Sequence, residues 1–205
     1  MARPREFDEN EVLQAAIQCF WANGFEATSV RDLAEKMGIT CASLYNAFGD
    51  KRSIYRVALD HYVDQSISER MTRTEERLPP RQAIDAFFGE IIERSLGDPQ
   101  RKGCMLVNSA LELAPHDPEF QQLIAGVLNR IEAFFRRCVE AGQQAGTINS
   151  RQSADDLARL LLGALMGIRV LARARPEREL LEGVVRPVFA LLDSDTMNKN
   201  EAEHD

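Results

Sequence analysis

Between Thr28 and Phe48 the chain packs two apolar stripes at helical spacing into very little sequence. Val30, Leu33, Ala34 and Met37 form the first, and Leu44 and Phe48 the second. Only the turn Met37-Gly38-Ile39-Thr40 separates them. Gly38 can take a positive φ, Ile39 can plug the space between two helices, and Thr40 can cap the second one. Such a pair is a helix-turn-helix, an arrangement whose second helix enters the DNA major groove. Thr28 and Ser29 offer an N-cap for the first helix of the pair, with Asp32 three residues after Ser29.

The remaining sequence is helical in the same way, with no alternating segments and no Asn-Gly or Asp-Gly hairpin signal. Asp8 caps a first helix with Val12, Ala15, Ala16, Cys19 and Phe20 on one face, closed by Asn23-Gly24. A helix beginning at Lys51 is expected to run to about Thr74. Pro79-Pro80 starts the next, and Arg101-Lys102-Gly103 turns into a short helix from Cys104 to about Ala114. Pro118 opens a long helix ending near Gly142 to Gly146, Ser153 caps an apolar one, and a last one runs from about Glu177 to Leu192. The fold class is therefore all-α, with about nine helices. The expected division is a helix-turn-helix domain over 1–52, a connecting helix over about 51–74, and a larger domain over 53–193. A polar tail over 194–205 is expected to be disordered.

Composition removes several classes. A hydrophobic fraction of 44% and a charged fraction of 28% describe a globular chain. The longest apolar candidate, Leu157 to Val170, is interrupted by Arg159 and Arg169, so no membrane span is expected. The N-terminal residues lack the apolar core of a signal peptide, which points to a cytoplasmic protein with reduced thiols. Cys19, Cys41, Cys104 and Cys138 have no CxxC spacing, and His61, His116 and His204 have no ligand spacing. Neither a metal nor a cofactor is expected. There is no GxSxG, phosphate loop or HExxH, so no enzyme is read from the chain.

The net charge of −7 argues against non-specific coating of nucleic acid but allows a local basic face. Residues 1–60 hold seven Lys/Arg against nine Asp/Glu, so the acids must lie away from any DNA-facing side. The expected DNA-facing set is Thr28, Ser29, Thr40, Cys41, Ala42, Ser43, Tyr45, Asn46 and Lys51. These are small or polar groups able to approach base edges and phosphates. Asn46 suits an adenine edge, Tyr45 a phosphate, and Lys51 at a helix start a phosphate held beside backbone amides. Arg52 and Arg56 extend the basic patch, and Arg3 and Arg5 could reach the duplex from an N-terminal arm. A helical protein-interaction module without DNA binding is the alternative of another class, but it leaves Tyr45, Asn46 and Lys51 without a task.

The residues themselves narrow the choice. The run Phe25 to Thr40, continued by Ser43-Leu44-Tyr45-Asn46-Ala47-Phe48-Gly49-Asp50-Lys51, resembles the TetR/AcrR family of bacterial transcriptional regulators. Ala15-Ala16-Ile17, Phe20-Trp21 and Gly24-Phe25 fit the family's first helix, so the likeness is dense over about residues 9 to 56. Its recurrent Leu-Tyr-x-x-Phe-x-x-Lys stands here as Leu44, Tyr45, Phe48 and Lys51. Ala42, where many members carry Gly, and Asn46, where His is frequent, depart from the pattern. Both lie on the reading helix and bear on which operator is read. The resemblance implies a homodimeric repressor that leaves a palindromic double-stranded operator when a small-molecule inducer binds its C-terminal domain.

The second half carries the expected partner and sensor residues. Leu157, Leu160, Leu161, Ala164, Leu165 and Ile168 form one wide stripe, and Val184, Val185, Val188, Leu191 and Leu192 another. Both cover more than one face, which suits burial against the domain and against a second subunit. The dimer set is Leu157, Leu161, Ala164, Leu165, Ile168, Val184, Val188 and Leu191, matching the last two helices that dimerise in the family. Cys104 opens a helix beside Arg101 and Lys102, a setting that favours the thiolate. The stretch resembles a TetR subgroup with Gly-Cys here and a following Glu such as Glu112. Some members sense electrophiles through the cysteine and others bind a small ligand, so a redox sensor at Cys104 is the alternative mode. The fold resemblance places a pocket among the middle helices, with Phe87, Phe88, Ile91, Met105, Asn108, Ser109, Glu112, Phe120, Ile131, Phe134 and Met166 as its candidates.

Overall fold

The structure, a computed structural model, describes residues 9–194. Asp8, Arg3, Arg5 and the tail beyond Ser194 lie outside the described residues. In chain order the helices are α1 (Glu9–Asn23), α2 (Val30–Met37), α3 (Cys41–Phe48), α4 (Lys51–Val63), α5 (Glu69–Arg77), α6 (Pro80–Leu96), α7 (Met105–Glu112), α8 (Pro118–Gln144), α9 (Ala154–Ala174) and α10 (Arg178–Leu192). A π-helical turn, Asp64–Ser68, follows α4 and precedes α5, so the helix expected to begin at Lys51 is interrupted. No strand occurs among the described residues. None of their helices is long and apolar enough to cross a membrane.

Among the described residues the chain divides into two compact units, residues 9–67 with 104–124, and residues 68–103 with 125–194. This differs from the division expected near residue 52. The difference is α7: local patterning assigns it to the second half, but long-range contacts tie it to α4 and to the turn after α1.

The first unit packs α1 against α2 and α4, α2 against α3, and α4 against α7. Phe20, Leu33, Leu44, Ile54, Tyr55 and Leu59 are almost wholly buried there. Each such side chain contributes roughly 1.5–3 kcal/mol by leaving water. Tyr55 anchors the centre, its ring meeting Phe20, Phe25 and Phe120 edge-on at centroid distances of 4.7, 5.1 and 5.6 Å.

The second unit packs α6 against α5, α9 and α10. Its core is aromatic. Phe87, Phe88, Phe134 and Phe135 are buried, with ring centroids 5.2 to 6.1 Å apart. Ser153 caps α9 by accepting the Asp156 N–H at 3.1 Å. Gly142 lies so close to Ile148 that an added Cβ would stand 2.5 Å from its terminal methyl.

Candidate nucleic-acid interface

The turn between α2 and α3 is built as its residues dictate. Ser29 and Asp32 form a reciprocal capping box at the start of α2. Gly38 closes the helix in the left-handed conformation, φ 67° and ψ 26°. Its N–H and that of Ile39 donate to the carbonyls of Glu35 and Ala34, at 3.2 and 3.0 Å. Thr40 Oγ1 then accepts the Ser43 N–H at 3.1 Å and starts α3.

Leu44 turns inward and is fully buried, so the opposite face of α3 is set by geometry. That face exposes Cys41, Ala42, Tyr45 and Asn46, with Thr40 beside them. Tyr45 is 51% exposed although it is a large aromatic residue. Cys41 and Ala42 are short enough for the helix backbone to come near a groove floor. Tyr45 and Asn46 carry the groups that reach phosphate and base. Ser43 is half-buried and bonds the Thr40 hydroxyl at 2.9 Å. Ser29 is exposed at the start of α2.

Three expectations for this face need correction. Thr28 is wholly buried, and its hydroxyl donates to the Gly24 carbonyl at 2.6 Å, so it offers nothing to a ligand. Lys51 points back to the turn after α1. Its ammonium donates to the Phe25 carbonyl at 3.0 Å and lies 4.2 Å from the centre of the Phe25 ring. Arg52 and Arg56 are not a free basic patch. Arg52 forms a two-pronged bond to Asp117 at 2.8 and 2.9 Å and a third to Glu119 at 2.7 Å. Arg56 reaches Glu119 at 3.2 Å. The Arg52 bond holds the Asp117 carboxyl down at about 2, and the two carboxylates push the guanidinium up in return. Exposed positive charge on the helix pair comes from Arg31 and Lys36 of α2, which sequence reasoning passed over. Their signal was their place opposite Leu33, Ala34 and Met37 on the amphipathic helix.

The expected pocket residues separate between the units. Phe87, Phe88, Ile91, Ile131, Phe134 and Met166 belong to the second, and Met105, Asn108, Ser109, Glu112 and Phe120 to the first. In the second unit Phe87, Phe88 and Phe134 pack ring against ring, together with Phe135. A cavity of about 460 Å³ lies in a groove formed by α6 and α10, floored by Phe88, Ile92, Val185 and Phe189. Only Phe88 was expected in such a role. In the first unit, Phe120 lies under Arg52 and packs edge-on to Tyr55. Ser109 donates to the Met105 carbonyl at 2.7 Å and bonds the Tyr55 hydroxyl at 2.8 Å. Burial lifts that phenol to about 12. Glu112, expected against a ligand, accepts the backbone N–H groups of Phe25 and Glu26 at 3.1 and 2.8 Å.

Cys104 is the N-cap residue of α7 and is 6% exposed. Its sulfur accepts the Tyr62 hydroxyl at 3.6 Å. The exposed setting expected for a reactive thiol is not what surrounds it. Burial pushes the Cys19 thiol up, and the Cys138 thiol up to about 12, while Cys41 is exposed. No group of three His, Cys, Asp or Glu residues suited to a metal occurs among the described residues.

Most of the expected dimer residues are used inside the chain. Leu157, Leu161, Ala164, Leu165, Ile168 and Val188 are buried, Val184 is half-buried, and Leu191 is 47% exposed. The outward face of α9 instead carries Leu160, Gly163, Gly167 and Val170, a stripe at helical spacing. Leu160 and Val170 are 39% and 49% exposed. A Cβ added at Gly163 or Gly167 would meet nothing within 4 Å.

Residues 12–58 match the model of the bacterial regulatory proteins of the tetR family. Residues 80–187 match that of the tetracyclin repressor-like C-terminal domain. The uncharacterized HTH-type transcriptional regulator YezE of Bacillus subtilis is 32% identical over 195 residues, 94% of this chain and all of YezE. The HTH-type transcriptional repressor ComR of Escherichia coli is 28% identical over 83% of this chain and 82% of its own. Among solved structures, a cysteine mutant of the TetR family transcriptional regulator CifR, complexed with a 26-bp double-strand operator DNA, aligns with a TM-score of 0.81. It is 29% identical, over 93% of this chain and 100% of that one. Because the likeness runs through both halves and not through the helix-turn-helix alone, the chain belongs to the TetR family, whose members are DNA-binding transcriptional regulators and not enzymes.

Proposed function

We propose that this regulator is a cytoplasmic homodimeric repressor. Its two α3 helices read the half-sites of a palindromic operator, and a small-molecule inducer releases it. The observation that carries the reading is the exposed face of α3, where Cys41, Ala42, Tyr45 and Asn46 stand together on a helix fixed by Gly38 and Thr40. Asn46 reads a base edge, and Tyr45 and Arg31 hold phosphates. Ser29, exposed at the start of α2, is positioned for the backbone. CifR, a structural relative, is described in complex with operator DNA, and ComR is described as a repressor.

Dimerisation is assigned to the outward faces of α9 and α10. Leu160, Gly163, Gly167 and Val170 on α9, with Leu180, Val184, Pro187 and Leu191 on α10, form apolar stripes that glycine leaves open to close approach. The inducer is a small, largely apolar molecule taken up by the C-terminal region, acting through its different affinity for two states of the dimer. A sensor at Cys104 has less support, because its sulfur is buried against Tyr62.

The test is fluorescence anisotropy with DNA upstream of the protein's own gene, at stated salt and with scrambled competitor. Specific binding is expected some thousand-fold above the scramble. Asn46→Ala should weaken it by about 1–3 kcal/mol and relax preference at one base pair, and Tyr45→Ala should weaken all sequences alike. Both variants should keep the wild-type helical signal. Unchanged binding in both would reject α3 as the reading helix. Leu160→Glu should convert a dimer to monomer in light scattering, and a monomeric wild type would reject the assembly.

A further inference from the structure

We infer that Glu112 is a positioning residue for DNA recognition. Its carboxylate acts as an internal anion that fixes the turn leading into the helix-turn-helix. This rests on the DNA-binding reading above and adds to it a residue outside the helix-turn-helix.

The turn begins at Gly24, whose φ of +84° ends α1. It leaves the N–H groups of Phe25 and Glu26 facing the same way. Successive backbone N–H groups of this kind form a concave nest that takes an anion. One oxygen of Glu112 accepts the Phe25 N–H at 3.1 Å, and the other accepts the Glu26 N–H at 2.8 Å. Gly24 makes room for this approach. A Cβ there would stand 3.0 and 3.2 Å from the two carboxylate oxygens. Lys51 holds the same turn from the other side, through the Phe25 carbonyl at 3.0 Å. The Thr28 hydroxyl closes it onto the Gly24 carbonyl at 2.6 Å. Ser29 follows at once as the N-cap of α2. The entry point of the helix pair is therefore held by a side chain from far along the sequence.

That side chain sits at the last residue of α7, and α7 is tied to α4 by two side-chain bonds. The Ser109 hydroxyl is spent on the Met105 carbonyl, so Tyr55 of α4 is the donor in the 2.8 Å bond between them. At the other end of α7 the Tyr62 hydroxyl donates to Cys104 Sγ at 3.6 Å. A displacement of α7 toward its N-terminus withdraws both oxygens of Glu112 from the nest together, because they belong to one carboxylate. The contact is made or lost as a pair, which is the property needed to pass the position of α7 to α2 and α3.

The experiment uses the full chain and a duplex enriched by the wild-type protein from a random library. Glu112→Gln keeps the shape but supplies one acceptor and an opposed NH₂. The expected result is faster hydrogen exchange at the Phe25 and Glu26 amides and a loss of roughly tenfold in affinity for the duplex, the size of one charge-assisted bond. In Glu112→Ala the emptied nest should accept a free carboxylate. Sodium acetate should then restore affinity relative to sodium chloride at equal ionic strength, a recovery that a merely structural role would not produce. A variant that melts lower but binds the duplex as tightly as the wild type while folded would overturn the proposal. So would acetate and chloride acting alike on Glu112→Ala. Failure of the wild type to enrich any duplex would reject the DNA-binding reading itself, and the positioning role with it.

Discussion

Inside each of the two units a different kind of contact stands out. In the first, α7 and the segment after it meet α4 and the turn after α1 through directional polar bonds: Tyr62 to Cys104, Tyr55 to Ser109, Arg52 to Asp117, and Glu112 to two backbone amides. In the second, α6 meets α8 and α10 through interlocked phenylalanine rings. Ring packing is strong and tolerant of small slides. Hydrogen bonds lose their value within a fraction of an ångström or a modest change of angle. The polar contacts of α7 hold positions, and the phenylalanine core of the second unit holds by burial.

The largest effect that would break this contrast is expected in the second unit. Phe87→Ala removes a ring 1% exposed that touches Phe88, Phe134 and Phe135. It should cost about 3–5 kcal/mol in chemical denaturation. The affinity of the folded fraction for DNA should stay at the wild-type value. A fall in that affinity would mean the aromatic core also sets positions. Next comes Tyr55→Phe, which keeps the ring packing and deletes the bond to Ser109. Denaturation should register about 1 kcal/mol, and a null result would mean that the ring alone carries the contact.

The smallest effect concerns Asp117, held at about 2 by Arg52. A carboxylate with a lowered value stabilises the fold above its unfolded value of 3.8, and that contribution disappears as pH falls through about 2. The melting temperatures of wild type and Asp117→Asn should differ at neutral pH and converge below that range. Curves that stay parallel down to low pH would show the ion pair to be unimportant.

What the sequence disclosed was local. Ser29 with Asp32, Gly38, Thr40 and Ser153 declare helix ends within three or four residues of themselves, and each sits where its chemistry requires. The amphipathic stripes placed Leu33, Ala34, Met37 and Leu44 inside and left Tyr45 and Asn46 outside. What stayed hidden was long-range. Nothing near Arg52 in the sequence announces Asp117, and nothing near Glu112 announces Phe25. A free basic patch and a ligand-facing carboxylate were therefore natural readings of residues that are in fact paired. The same holds for the apolar positions of α9. Leu161 and Leu160 look alike in a periodic stripe, yet the first is buried in its own chain and the second faces outward. Phenylalanines on a helix face likewise give no sign of whether they line a space or fill it.

The approach of Glu112 to Gly24 also bears on how this sequence can change over time. The bare Cα at 24 and the carboxylate at 112 occupy one small volume, so neither position is free to drift alone. A side chain gained at 24 must be matched by a shorter or differently aimed residue at 112, on top of the strain of the left-handed backbone. Among descendants of this chain the two positions should vary as a pair, though 87 peptide bonds separate the turn's Phe25 from the helix that holds it.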